Sequence, residues 1–218
     1  MNIQRTMVLL MGGMAMSQPV LAEEKNWYVT AELGLNLLGD QDLDYRVDGA
    51  LVDTVQAGFG AGFAGGARVG RYLNDRWRLE GEVLYRTSSL DNVSVMDLGA
   101  STGGDFSSLG YGLSALYEFN WFGSERYRSY VGAGVVFIQE IDIDFEIGGV
   151  ETSFETDDIA GQLQAGVRIG GGERWFADLG VRYLAASSVD LELPADGGQV
   201  IRADYDPLTI TLGAGWRF

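Results

Sequence analysis

The sequence predicts an all-β fold: an eight-stranded antiparallel up-and-down transmembrane β-barrel with short turns at one end and four long loops at the other. Three observations predict it. Eight segments alternate bulky apolar residues with small or polar ones, the period of two that marks a strand. The connections between them alternate in length. The bulky residues share one face of each segment, and nearly all the charges share the other.

The first segment is "WYVTAELGLNL", residues 27–37, where Trp27, Val29, Ala31, Leu33, Leu35 and Leu37 oppose Tyr28, Thr30, Glu32, Gly34 and Asn36. In the second, Ala57, Phe59, Ala61, Phe63, Ala67 and Val69 oppose Gly58, Gly60, Gly62, Gly66 and Arg68. The third sets Trp77, Leu79, Val83 and Tyr85 against Arg78, Glu80, Glu82 and Arg86, and the fourth sets Leu109, Tyr111, Leu113 and Tyr117 against Gly110, Gly112, Ser114 and Glu118. The fifth opposes Val131, Ala133, Val135 and Phe137 to Gly132, Gly134, Val136 and Ile138. The sixth opposes Leu163, Ala165, Val167 and Ile169 to Gln162, Gln164, Gly166 and Arg168. The seventh opposes Ala177, Leu179, Val181 and Tyr183 to Asp178, Gly180 and Arg182. The eighth, "LTITLGAGWRF", carries the alternation to Phe218. Short connections fall near 73–76, 120–128 and 170–174, and long ones at 38–55, 87–106, 140–158 and 185–207. Both termini then lie at the short-turn end, the arrangement of a barrel with short periplasmic turns and long extracellular loops.

Volume and charge decide which face is outside. The interior of an eight-stranded barrel is only wide enough to be filled by side chains. The bulky faces of eight strands do not fit there, whereas the small-residue faces do. The inward face carries Glu32, Glu80, Glu82, Glu118, Glu140 and Asp178 against Arg68, Arg78, Arg86, Arg168, Arg182 and Arg217, a balanced set in a chain of net charge −16. An enclosed lumen requires such balance, because an unpaired buried charge costs several kcal/mol, on the order of 3–5. The outward face is almost free of charge, as hydrocarbon demands. All five tryptophans, Trp27, Trp77, Trp121, Trp175 and Trp216, sit near a short turn or a terminus, where they form an aromatic girdle at the periplasmic interface.

Residues 1–22, "MNIQRTMVLLMGGMAMSQPVLA", have Arg5, an apolar stretch and a small-residue site ending at Ala22, the features of a cleaved signal peptide. Residues 23–218 form the barrel domain. The chain has no cysteine and no histidine, which removes the usual general base and the usual transition-metal ligand. Its acidity disfavours nucleic acid and anionic partners. No apolar run after residue 22 is long enough for a transmembrane helix.

The stretches "RLEGEVLYR" (78–86), "YVGAGVVF" (130–137) and "AGVRIG" (165–170), with the terminal Phe218, resemble the OmpA-like and OmpX-like small outer-membrane barrels, a family that includes the opacity-type surface proteins. The resemblance covers residues 25–218. It implies residence in the outer membrane of a Gram-negative bacterium, contact with lipid and lipopolysaccharide, and delivery by the barrel-assembly machinery through Phe218. It also implies a monomer with an adhesion-like or structural role through the loops, and possible ligands on host or neighbouring cell surfaces. The alternative is a narrow porin-like channel for ions or small apolar molecules, as the OmpW-type relatives suggest. OmpA continues into a peptidoglycan-binding domain, and this chain stops at Phe218, so cell-wall binding is not expected. The enzymatic relatives rely on a histidine, so no enzyme activity is expected here. No cofactor is implied.

Two sites are candidates beyond the lumen charges. Asp40, Asp42 and Asp44 alternate in "GDQDLDYRVDG" and offer carboxylates that could hold calcium, but Tyr45 and Leu51 stand where an EF-hand loop wants Gly and Glu; a solvated acidic loop is the ordinary alternative. "IDIDFEIGGVETSFET" reads as a hairpin rising above the bilayer, with Asp157 and Asp158 adding to an acidic rim. The lumen charges are expected to form a self-satisfied plug rather than a gate.

Overall fold

The computed structural model describes the backbone of residues 26–39, 41–95, 99–101, 105–124, 126–147, 150–170, 174–186, 189–192, 199–203 and 205–218. Within these, the side chains of 41–43, 45, 53, 55–57, 90–95, 99–101, 105–106, 140–147, 150–158, 189–192 and 199–203 are outside the description. The expected signal peptide therefore lies outside the described residues, as do Asp40 and the side chains of Asp42, Glu140, Asp157 and Asp158.

Thirteen strands follow in order: β1 (Trp27–Leu37), β2 (Gln41–Val47), β3 (Ala50–Phe59), β4 (Ala61–Tyr72), β5 (Trp77–Val95), β6 (Gly99–Ser101), β7 (Asp105–Phe119), β8 (Tyr127–Ile147), β9 (Val150–Gly170), β10 (Trp175–Ala185), β11 (Val189–Glu192), β12 (Gln199–Ala203) and β13 (Leu208–Arg217). Eight of them close a ring in the order β5, β4, β1, β13, β10, β9, β8, β7 and back to β5, every pairing antiparallel. The last strand seals the first, from Tyr28 opposite Arg217 to Leu37 opposite Leu208. The Phe218 amide donates to the Trp27 carbonyl at 2.9 Å, so the ladder is satisfied to the final residue. Closure leaves no edge in the ring, the condition for a sheet that crosses hydrocarbon.

Four of the other five strands lie in regions that the sequence analysis treats as loops; the fifth, β3, takes residues 57–59 of the expected second segment, which divides at Gly60 between β3 and β4. β2 and β3 form a hairpin whose two-residue turn is Asp48–Gly49, with φ of 50° and 78°. Positive φ at both positions is the geometry that matches the twist of the flanking strands. β12 adds to β2, β11 adds to β12, and β3 pairs the outer part of β5, so the first and fourth long connections join in one sheet above the ring. β6 pairs the end of β5. β8 and β9 run on together as far as Ile147 opposite Val150, the hairpin expected of that stretch. The long connections are thus strand extensions more than irregular loops.

Side chains alternate in and out along the ring, as in β10, whose exposure alternates almost residue by residue. Leu33, Leu113, Leu163 and Leu212 face outward and are each about 60% exposed (62, 59, 61 and 65%). At the short-turn end the outward aromatic residues interlock. Trp175 packs edge-on to Trp216 with ring centroids 4.5 Å apart, and Trp77 does the same against Tyr117 at 5.2 Å. Arg71 and Arg174 lie over Trp27 and Trp216. Trp121 stands in the turn after β7 and is exposed.

Candidate functional site

The strand parity that turns leucines outward turns charges inward. Arg68 on β4, Arg78 and Arg86 on β5, Arg168 on β9 and Arg182 on β10 are all at most 2% exposed. So are Glu32 on β1, Glu80 on β5, Glu118 on β7 and Asp178 on β10, while Glu82 is 6% exposed. Among the described side chains this makes five guanidinium groups against five carboxylates. Glu140 is outside that set, and Arg217 stands half-exposed at the short-turn mouth.

Four of the arginines knit the carboxylates together. Arg68 reaches three of them: Glu32 at 3.1 Å, Glu80 at 3.1 Å and Asp178 at 2.9 Å. Arg168 also reaches three, Glu80 at 3.5 Å, Glu118 at 3.6 Å and Asp178 at 3.4 Å. Arg78 pairs with Glu118 and, at 3.3 Å, with Glu80. Arg182 bridges Glu32 at 2.9 Å and Glu82 at 3.3 Å. Charges this deeply buried persist only when each is paired and hydrogen-bonded, and the network meets that demand by sharing.

Neutral side chains complete the network. Tyr28 donates its hydroxyl to Glu80, Tyr130 to Asp178 at 2.8 Å and Tyr72 to Glu118 at 2.9 Å. Gln162 donates to Glu82 at 2.8 Å. The same aromatic rings take the faces of the guanidinium planes: Arg168 lies 4.0 Å from the Phe176 centroid and 4.3 Å from that of Tyr28, and Arg78 lies 4.4 Å from that of Tyr130. A guanidinium used at its edge by carboxylates and at its face by aromatic rings is fixed in position and orientation. Tyr28, Tyr72, Tyr130 and Phe176 are absent from the sequence-derived site. Their inward parity was readable, but an aromatic residue reads as part of the skin unless its strand register is followed. Arg217 lies over Phe176 at 5.4 Å and over Tyr72 at 5.9 Å, and helps to line a mouth cleft of about 280 Å³ with Asn26, Asn74, Asp75, Glu118 and Arg128.

Above the network the lumen changes character. The expectation of an interior made mostly of small and polar residues needs correction: Leu84, Val136, Ile138, Ala160 and Leu184 also point inward and are buried, and so does Leu116 at the level of the network, opposite Arg78. The glycines opposite them make the room. A Cβ on Gly132 would meet Leu116 Cδ2 at 2.9 Å. At the outer end Ser108 and Tyr205 share a hydrogen bond of 2.8 Å, Thr209 donates to Asn36 at 2.9 Å, and Asn36 donates to Ser88 at 3.0 Å. Tyr205 precedes β13, outside the spanning strands, and burial raises its hydroxyl pKa while Arg86 pulls the other way.

The calcium candidate is not assembled among the described side chains. Asp44 instead accepts from Thr54 at 3.0 Å and faces Arg46 at 3.6 Å. Among the described residues no group of three or more metal-ligating side chains gathers anywhere.

Comparison with known proteins agrees with the ring. The model of the outer membrane protein beta-barrel domain family matches residues 6–218. Among solved structures, OprG from Pseudomonas aeruginosa has 18% identity and a TM-score of 0.68, with 88% of this chain and 96% of that chain covered. AlkL, solved in lipid bilayers, has 21% identity and a TM-score of 0.55, with 93% and 97% covered. The neisserial surface protein NspA has 18% identity and a TM-score of 0.51, with 88% and 97% covered. At these identities the likeness establishes the fold alone. No curated protein matches the chain by sequence.

Proposed function

The chain belongs to the outer membrane protein beta-barrel domain family, whose place is the outer membrane of Gram-negative bacteria, and from that premise we propose that it is a non-enzymatic surface protein with a structural or surface-interaction role. The single observation that carries this reading is the packing of the lumen. Arg68, Arg78, Arg168 and Arg182 are held by five carboxylates and are at most 2% exposed, so the inner half of the barrel is occupied by its own side chains. What remains available to partners is the sheet of β2, β3, β11 and β12 above the ring. Its first hairpin segment, residues 39–53, carries five aspartates against one arginine. A surface of that charge suits cationic or cation-bridged partners, including lipopolysaccharide phosphates joined through divalent ions.

Supporting features belong to the same reading. Residues 1–22 serve as a removable export signal, Phe218 as the mark read by the assembly machinery, and the five tryptophans as the inner-interface girdle of a monomer. With no histidine, the chain lacks the base on which the enzymatic relatives rely.

One observation favours a second reading, a narrow path for small apolar molecules: the inward wall of Leu84, Val136, Ile138 and Leu184. Planar-bilayer recording separates the two. A surface protein gives no steady single-channel steps, while its binding to cells or to lipopolysaccharide is lost when residues 41–59 are replaced by a two-residue turn. Steady conductance that changes on Arg68→Ala or Glu118→Gln overturns the reading.

A further inference from the structure

Each short turn ends on the same pattern, an acid, an arginine and an aromatic residue. Asp75–Arg76–Trp77 opens β5, Glu125–Arg126–Tyr127 opens β8 and Glu173–Arg174–Trp175 opens β10. The arginines beyond the lumen network also gather at this end. Arg71, Arg76, Arg126, Arg128, Arg174 and Arg217 stand here, against Arg46 and Arg202 at the long-loop end. The net charge of −16 conceals this, because the acids crowd the other end.

Two of the turns share one construction. Trp77 packs on Tyr117 with ring centroids 5.2 Å apart, and Arg76 Nη1 donates to the hydroxyl of that same tyrosine at 3.1 Å. Trp175 packs on Trp216 at 4.5 Å, and Arg174 lies over that same indole at 5.5 Å. In both, the arginine engages the ring against which the following aromatic residue rests, so its guanidinium is held at the edge of the girdle. In the third turn Tyr127 rests on Phe122 at 6.0 Å. The first turn's backbone is fixed as well: Asn74 Oδ1 accepts from the amides of Arg76 and Trp77 at 2.9 and 2.8 Å. Asp75, Arg76, Arg126 and Arg174 are exposed, and Arg76 makes no ion pair with Asp75 beside it. Glu125 and Glu173 lie outside the described residues and enter by sequence position alone.

The order of these residues along the membrane normal selects the partner. The ring belongs at the boundary between hydrocarbon and headgroup. The arginine, one residue further out, presents N–H donors that match phosphate oxygens. The acid is further out still. A surface that only gripped phosphate would gain nothing from a carboxylate at every turn, because like charges repel. A headgroup with a primary ammonium beyond its phosphate meets both charges in the same order. A choline group has no N–H to donate, and a glycerol group has no cation for the acid.

We propose that the three short turns are headgroup clamps for phosphatidylethanolamine of the inner leaflet, with Arg76, Arg126 and Arg174 on the phosphate and Asp75, Glu125 and Glu173 on the ammonium. The proposal rests on the placement of the short turns at the periplasmic face and is independent of what the outer sheet binds.

The test is tryptophan quenching of the full-length chain folded into phosphatidylcholine vesicles with rising fractions of a phospholipid brominated on its acyl chains, bearing an ethanolamine, choline or glycerol headgroup. Trp77, Trp175 and Trp216 report from within two of the clamps. The expected association constant is about threefold higher for the ethanolamine lipid than for the other two, the scale of an exposed ion pair. Asp75→Asn, Glu125→Gln and Glu173→Gln together should abolish the preference for ethanolamine over choline. Arg76→Gln, Arg126→Gln and Arg174→Gln together should lower the ethanolamine constant. Should either variant fail to fold, the three lipids compared on the unaltered chain still decide. Equal quenching constants for the ethanolamine and choline lipids overturn the proposal and leave the membrane placement standing. A glycerol lipid that binds as well as the ethanolamine lipid also overturns it, as does a preference that survives in the acid variant. Loss of the preference to dissolved phosphoethanolamine, at the same bulk concentration as the lipid, overturns the assignment to a membrane lipid.

Discussion

Arg68 shows how one side chain can set the balance of a sealed interior. It holds Glu32, Glu80 and Asp178 at once, with all its nitrogens within about 3 Å of a carboxylate oxygen (3.1, 3.1 and 2.9 Å). Removing it leaves Glu32 to Arg182, Glu80 to Arg78 and Arg168, and Asp178 to Arg168, with one surplus negative charge in a buried region. Replacing Arg68 by Met should therefore cost about 3–5 kcal/mol, the scale for breaking a buried pair by deleting one partner. Neutralising a carboxylate as well should return part of that loss, because the second change removes the surplus charge. Urea unfolding in phospholipid vesicles, followed by tryptophan fluorescence, measures both. The expected order of stability is the unaltered chain, then Arg68→Met with Glu32→Gln, then Arg68→Met alone. If the single and double variants unfold together, Glu32 is not coupled to Arg68. The charge pattern of this site was legible in the sequence, since parity alone places Glu32, Arg68, Arg78 and their partners on one side of their strands. The partner choices were not, because Arg68 meets Asp178 across 110 positions of chain, and strand alternation carries no information on reach across a lumen.

Elements fit one another here by a pairing of rings with glycines. Phe176 on β10 turns inward and lies flat against the neighbouring strand at Gly215 of β13. A Cβ at Gly215 would stand 2.6 Å from Phe176 Cε1 and closer still to the far end of the ring. Gly215→Ala should therefore overpack this seam by about 1–3 kcal/mol. Phe176→Leu in the same chain should relieve most of it. The measurement is the temperature at which the folded band gives way to the unfolded one on a heated gel, lower for Gly215→Ala and partly restored in the pair. A Gly215→Ala chain as stable as the unaltered one would mean that the ring moves aside at no cost. At this scale the eight spanning strands were legible because each has two different solvents on its two faces, and alternation records that difference. β2, β3, β11 and β12 lie beyond the bilayer with no such contrast, so periodicity was silent. The Asp48–Gly49 dipeptide was the available signal, a pair suited to a two-residue hairpin turn, and it lies between strands that meet at Val47 and Ala50.

On the scale of the whole molecule, the ring works by inversion: leucines such as Leu33 and Leu212 stand exposed on its outside while Arg68, Arg78, Arg86, Arg168 and Arg182 are buried within. In water such a surface would be a liability on the scale of the entire protein. In lipid it is the condition for stability, and its energetics depend on depth. Leu212 tests this directly. It sits midway along β13, faces outward with 65% of its surface exposed, and has Leu33 and Leu179 beside it in the ladder. Leu73 is similarly exposed, at 57%, but lies in the short turn after β4. Substituting Arg for Leu212 places a charge near the hydrocarbon midplane and should cost about 2–4 kcal/mol, whereas Leu73→Arg reaches the interface and should cost about 0–1 kcal/mol. A soluble barrel with the same contacts would show no such difference, because both positions would meet water. Reversible folding into vesicles of a thin-bilayer lipid, compared across the two variants, supplies the measurement. Equal stabilities for Leu212→Arg and Leu73→Arg would mean that Leu212 does not face hydrocarbon, and the outward placement of Leu33, Leu113, Leu163 and Leu212 would then lose its physical reason.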